Sequence, residues 1–134
     1  MGVYGGNELL EYKEFPDFSE KTVCVIGGGN TAMDVARTVN KKNAKKVIVI
    51  YRRAREQMPA EDEEVEAASL DGVEFWFQNN IVKIIGETRV EQIECIKTEL
   101  VKVEGDREKP VNIEGSNYIR DMDFVIMALR CKAR

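Results

Sequence analysis

Apolar positions along this chain fall into three kinds of pattern. Thr22–Ile26 (TVCVI) and residues 47–51 (VIVIY) are short, rich in β-branched residues and apolar almost throughout. Runs of that kind read as parallel strands covered on both faces. Between them Ala32, Val35, Ala36 and Val39 recur at helical spacing and build one apolar face. That helix ends near NKKNAKK, where lysines suit the negative end of its dipole. A second helix is predicted from Pro59, a residue suited to the first helical position, and should stop at Gly72. Its first turns carry Glu61, Asp62, Glu63 and Glu64, where the dipole favours negative charge. Residues 73–77 (VEFWF) predict a third strand.

From residue 81 the pattern changes. Residues 81–86 (IVKIIG), the turn ETR and residues 90–104 (VEQIECIKTELVKVE) predict an antiparallel hairpin. GDREKP reads as a loop, a short strand is expected around Tyr118, and residues 123–129 (DFVIMAL) read as a strand returning to the parallel sheet. Residues 1–20 are polar and broken by FPDF, so they read as a lead-in outside the core. The order predicts an α/β fold: a Rossmann-like open parallel sheet in three layers, with an antiparallel meander inserted late. The expected organisation is a lead-in over 1–20 and one domain over 21–134.

Composition narrows the function classes. A chain of 134 residues suits one domain with a modest core. Its net charge of −4 gives the surface as a whole no attraction for nucleic acid or anionic membranes, so an anion site must be a local concentration of positive charge. No apolar run reaches the roughly 18 residues of a spanning helix, and the first residues lack the basic-then-apolar pattern of a signal peptide. There are three cysteines, Cys24, Cys95 and Cys131, with no C-x-x-C pair and no histidine. That argues against a zinc site, a Cys–His nucleophile or a dithiol centre, and for a reducing, cytoplasmic setting. Cys24, inside an apolar strand, reads as a core residue. Trp76 reads as core or domain interface, and the acidic run at 61–64 as a helix start matched to its dipole.

The chemistry concentrates at two strand ends. Gly27-x-Gly29-x-x-Ala32 follows a strand and opens a helix. The first glycine allows a tight turn, the second lets a pyrophosphate approach the backbone, and Ala32 lets helix and strand pack closely. The N–H groups at the helix start then face the phosphates, with Asn30 or Thr31 available to cap or donate. The second strand ends Tyr51-Arg52-Arg53, with Arg55 shortly after. Sites for NAD or FAD usually carry a carboxylate there; paired arginines instead match a 2′-phosphate and select NADPH. The alternative for this pair is a solvated basic turn that pairs with the acidic helix. No general base or nucleophile stands in a convincing setting.

VIGGGNTAMDVART, VIVIYRRAREQMPAEDEEVEAA, GVEFWFQNNIVKIIG and DFVIMAL resemble the NADPH-binding domain of the glutamate synthase small (beta) subunit family and related FAD-dependent oxidoreductases of the pyridine nucleotide-disulphide type. The likeness runs from about Gly5 to Leu129. Thioredoxin reductases share the glycine loop and the paired arginines, but their NADPH domain carries a C-x-x-C that is missing here. The resemblance implies pyrophosphate contacts at Gly28, Gly29, Asn30 and Thr31, 2′-phosphate contacts at Arg52 and Arg53, and close passage of the cofactor at Ala128. With Gly27 at the turn, these are the expected cofactor-binding residues; no catalytic or metal-binding residue is expected. In such proteins the NADPH domain is inserted in a discontinuous FAD domain. The resemblance therefore implies an inserted domain by itself, partnered by an FAD domain of the same polypeptide and a large glutamate synthase-type subunit, with FAD and iron–sulfur clusters held elsewhere. One departure stands out: Arg130 occupies the place of a family glycine and would crowd a bound nicotinamide. The rival function is an interaction or regulatory domain that keeps this fold and loses, or only senses, the cofactor.

Overall fold

The computed structural model describes residues 3–5, 18–42, 44–55, 58, 60–86, 90–102, 105 and 108–128. In chain order these form β1 (Val3–Gly5), β2 (Thr22–Ile26), α1 (Asn30–Asn40), β3 (Lys46–Tyr51), α2 (Asp62–Leu70), β4 (Glu74–Phe77), β5 (Asn79–Ile85), β6 (Gln92–Lys102), β7 (Glu108–Asn112), β8 (Tyr118–Asp121) and β9 (Phe124–Met127). A parallel five-stranded sheet has the order β1-β9-β2-β3-β4. In the antiparallel second sheet, β5 lies along one edge of β6, while β8 and β7 share the other.

The apolar runs are continuous because both faces of the parallel sheet are covered. Val23, Val25, Val47 and Val49 pack with Ala32, Met33, Val35, Ala36 and Val39 of α1 and Val65 and Ala68 of α2. The alternate residues Cys24, Ile26, Ile48 and Ile50 pack with Ile93, Cys95 and Met122 of the antiparallel layer. This is the expected three-layer α/β architecture. Arg37 ties the two helices together, pairing with Asp71 at 3.1 Å and Glu64 at 3.8 Å, and Asn40 Nδ2 donates to the Asp71 carbonyl at 2.6 Å. Burial drives the Cys24 thiol far above its ordinary range, as fits a packing residue rather than a nucleophile.

Three sequence expectations need correction. Val3–Gly5 and Phe18, expected in a lead-in outside the core, join the fold: β1 pairs in register with β9 along the sheet edge, and Phe18 is buried in the helix-side core. The Phe18 ring meets Phe124 edge-to-face, 5.0 Å between centroids. Phe18→Leu keeps most of the volume but loses that ring contact. It is expected to cost about 1 kcal/mol, read as a lowered midpoint in urea unfolding. Second, part of GDREKP is strand, because β7 begins at Glu108. Pro110 lies in this strand; among the described residues β7 pairs on one side only, with β6, and proline is tolerated on such an edge. Third, the second helix begins at Asp62. Pro59 and the turn ETR lie outside the described residues. The helix does stop where expected, with Asp71 at its C-cap and Gly72 next at φ +105°.

Candidate functional site

The order of the parallel sheet reverses direction at β2. From it the chain steps outward through β3 to β4, then returns on the other side through β9. Ligands of open α/β sheets sit in the crevice at the carboxyl ends of the strands at such a switch point. The residues at this edge are Gly27 after β2, Arg52 after β3 and Ala128 after β9.

Gly27 has φ +144°, a backbone conformation that L side chains rarely adopt, and its N–H donates to the Ile50 carbonyl at 3.2 Å. On the other side of β2, the Ala128 N–H donates to the Ile26 carbonyl at 2.9 Å. These bonds hold the glycine turn flush with its neighbours. Gly28 is buried, and a Cβ there would stand 2.6 Å from Cε1 of the Tyr51 ring. Its role is therefore one of close packing: the turn lies directly against the residue before the arginine pair. Gly29 differs, because a Cβ there would meet nothing within 4 Å. It is the point at which a ligand can approach the backbone from outside.

Gly29 is also the N-cap of α1, and no side chain caps that helix. Of the two roles open to Asn30 and Thr31, capping or donating to a phosphate, neither residue takes the first. Asn30 Oδ1 instead accepts from the Glu61 N–H at 3.1 Å, and the Gly28 carbonyl accepts from the Ala60 N–H at 2.9 Å. These two bonds stitch the glycine turn to the start of α2. The N–H groups of the first turn of α1 thus have no side-chain acceptor, and Thr31 lies half-exposed beside them. Ala32 is fully buried beneath the turn, as close packing of helix on strand requires.

Arg52 is exposed and Arg53 half-buried. Among the described residues Arg55 pairs with Asp62, whereas Arg52 and Arg53 have no ion pair. The basic-turn alternative therefore accounts for Arg55 and leaves the other two arginines without an acid among the described residues. Arg53 Nε is buried with no hydrogen-bond partner, a donor left without an acceptor. Burial raises the Tyr51 phenol above its ordinary range, and the nearby charges of Arg53 and Arg52 oppose that rise. The two positive charges thus gather around the tyrosine that touches Gly28.

Sequence reasoning did not find Tyr51, Gln78 or Thr98 as site residues. The Thr98 hydroxyl donates to the Arg52 carbonyl at 2.6 Å, and the Gln78 N–H donates to the Arg53 carbonyl at 3.0 Å. Thr98 is 46 residues from Arg52 in the chain, so no local pattern could announce the contact. Arg130 lies outside the described residues.

A parallel sheet with this switch point, a glycine turn opening α1 and an arginine pair on the carboxyl edge defines a Rossmann-like α/β domain. The chain belongs to the pyridine nucleotide-disulphide oxidoreductase family, which matches residues 2–126. It is 37% identical over 116 residues to the glutamate synthase [NADPH] small chain of Halomonas elongata, covering 86% of this chain and 25% of that protein. It is 34% identical over 122 residues to the NADP(+)-dependent formate dehydrogenase subunit beta of Moorella thermoacetica, covering 90% of this chain and 17% of that protein. Its fold matches that of Mycobacterium tuberculosis FprA, solved in complex with NADPH, with a TM-score of 0.68 at 19% identity over 84% of this chain and 39% of that one. The chain thus spans a quarter or less of the length of these two curated relatives. Among the described residues no helix is long and apolar enough to cross a membrane.

Proposed function

We propose that this chain binds NADPH as the nicotinamide-nucleotide domain of a flavin-dependent oxidoreductase of the glutamate synthase small-chain type. The observation that carries the reading is the meeting at one sheet edge of the glycine turn, Tyr51 and two arginines that have no ion pair among the described residues. The residues present fit the cofactor. Gly29 offers open backbone for a pyrophosphate, and the uncapped start of α1 presents N–H groups to it. The half-buried Arg53, with its orphaned Nε, and the exposed Arg52 supply fork-shaped donors for a 2′-phosphate. Relatives named for NADPH or NADP+ support the same choice.

Bound there, NADPH supplies a hydride, and the flavin that receives it belongs to another domain. This chain's own residues bind and orient. Gly27 and Ala128 flank the entry, the start of α1 neutralises the pyrophosphate, and the arginines select the phosphorylated ribose. The FAD domain of the same polypeptide and a large glutamate synthase-type subunit are the proposed partners, and the cytoplasm the proposed setting. Iron–sulfur centres would belong to the complete assembly.

Calorimetric titration with NADPH, NADH and 2′-phospho-ADP-ribose tests the reading. NADPH and the phosphorylated fragment should bind; a folded chain that binds neither would favour an interaction domain without cofactor. The isolated chain should also show no NADPH oxidation by added FAD above a protein-free control, since in this reading another domain holds the flavin. Turnover above that control would refute this division of labour.

A further inference from the structure

The arginine pair is held from behind by the antiparallel layer. We propose that Thr98 and Gln78 are positioning residues that set the preference of this site for a 2′-phosphorylated dinucleotide. The proposal rests on the NADPH reading above and names what makes its arginines selective.

Thr98, on β6, is the one buried polar side chain among the described residues, 4% exposed. Its hydroxyl donates to the Arg52 carbonyl at 2.6 Å, and its N–H donates to the Gln78 carbonyl at 2.8 Å. Gln78 reaches back, its Nε2 donating to the Thr98 carbonyl at 3.4 Å, while its own N–H donates to the Arg53 carbonyl at 3.0 Å. Consecutive arginine carbonyls are thus both gripped by one mutually bonded pair. Gln78 is the single residue between β4 and β5, where the chain leaves the parallel sheet for the antiparallel one. It has φ +56°, a left-handed conformation more usual for glycine. Glycine would make that turn more easily, but it would lose the side-chain amide that bonds Thr98.

Fixing two successive carbonyls fixes the peptide planes at 52 and 53, and with them the directions in which the arginine side chains leave the backbone. A fork held in place loses less freedom when it closes on a phosphate. The gain falls on a ligand that carries the 2′-phosphate and not on one that lacks it. A merely structural hydrogen bond would change stability and leave that ratio unmoved.

The test uses this chain with 2′-phospho-ADP-ribose and ADP-ribose, in the unmodified form and as Thr98→Val and Thr98→Ser. Valine keeps the shape and removes the hydroxyl. The ratio of the two dissociation constants is expected to fall about fivefold in Thr98→Val, the scale of one hydrogen bond, and to recover in Thr98→Ser. An unchanged ratio in folded Thr98→Val, or equal weakening of both ligands, overturns the proposal. An unmodified chain that fails to distinguish the ligands defeats the NADPH reading itself, and the proposal with it. Amide exchange on the unmodified chain needs no variant. The phosphorylated ligand should slow exchange at Gln78 while ADP-ribose leaves it unchanged, and equal protection by both overturns the proposal.

Discussion

Replacing both Arg52 and Arg53 by alanine is expected to erase the preference for NADPH over NADH. In the unmodified chain that preference should be at least about tenfold, or roughly 1.4 kcal/mol. Each charge-assisted bond to a phosphate is worth about 1.5–3 kcal/mol, so the double variant should lose most NADPH affinity and little NADH affinity. The two arginines should not contribute equally. Arg52 is exposed, so its charge is well screened, whereas Arg53 is half-buried with its Nε unpaired. Arg53→Ala should therefore cost more than Arg52→Ala. Arg53→Lys should recover little, because an ammonium cannot reproduce a planar fork. Added salt should weaken NADPH more than NADH, since the extra contact is between charges. Isothermal titration of the single and double variants measures all of this. Equal affinity for both cofactors in the unmodified chain would remove the 2′-phosphate clamp from consideration.

Two adjacent glycines should fail in different ways. A methyl group at Gly28 would stand 2.6 Å from the Tyr51 ring, too close for the ring to stay where it is. Overpacking of that kind costs about 1–3 kcal/mol, so Gly28→Ala should lower the thermal midpoint by roughly 5–10 °C. Because Tyr51 leads into Arg52, NADPH selectivity should fall with it. Gly29 has φ −92°, which alanine adopts freely, and open space where a Cβ would go. Gly29→Ala should therefore leave the thermal midpoint nearly unchanged. Its methyl group would stand in the path of the pyrophosphate, and affinity for both cofactors should drop about tenfold, with the ratio between them preserved. Calorimetric unfolding and ligand titration on the two variants check the pair. If Gly29→Ala binds NADPH normally, the pyrophosphate does not approach there.

Local patterns carried much of this protein's design. The runs TVCVI and VIVIY announce strands buried on both faces, since only two apolar neighbours justify an apolar residue at every position. The spacing of Ala32, Val35, Ala36 and Val39 announces the face of α1, and Gly72 marks the end of α2. The glycine turn and the arginines are visible as well, because a strand end followed by a tight turn imposes local residue requirements. Weaker signals misled. Val3–Gly5 joins the sheet through backbone pairing with β9, which any short extended segment can provide, so its side chains need not advertise it. Glu108–Asn112 contains a proline and begins within the polar run GDREKP, so an edge strand looked like a loop.

The contacts that assemble the site lie beyond such patterns because they join distant positions. The Gly28–Tyr51 approach, the Asn30–Glu61 bond and the grip of Thr98 and Gln78 on the arginine carbonyls each depend on where another strand or helix start arrives. A threonine at position 98 is one of several unremarkable polar residues on a strand until β6 packs behind β3; then its hydroxyl is buried and must find an acceptor. Residue types along the chain therefore determined which groups stand at the candidate site. The packing of the antiparallel layer against the parallel sheet decided how firmly those groups are held, because burial makes each polar partner obligatory.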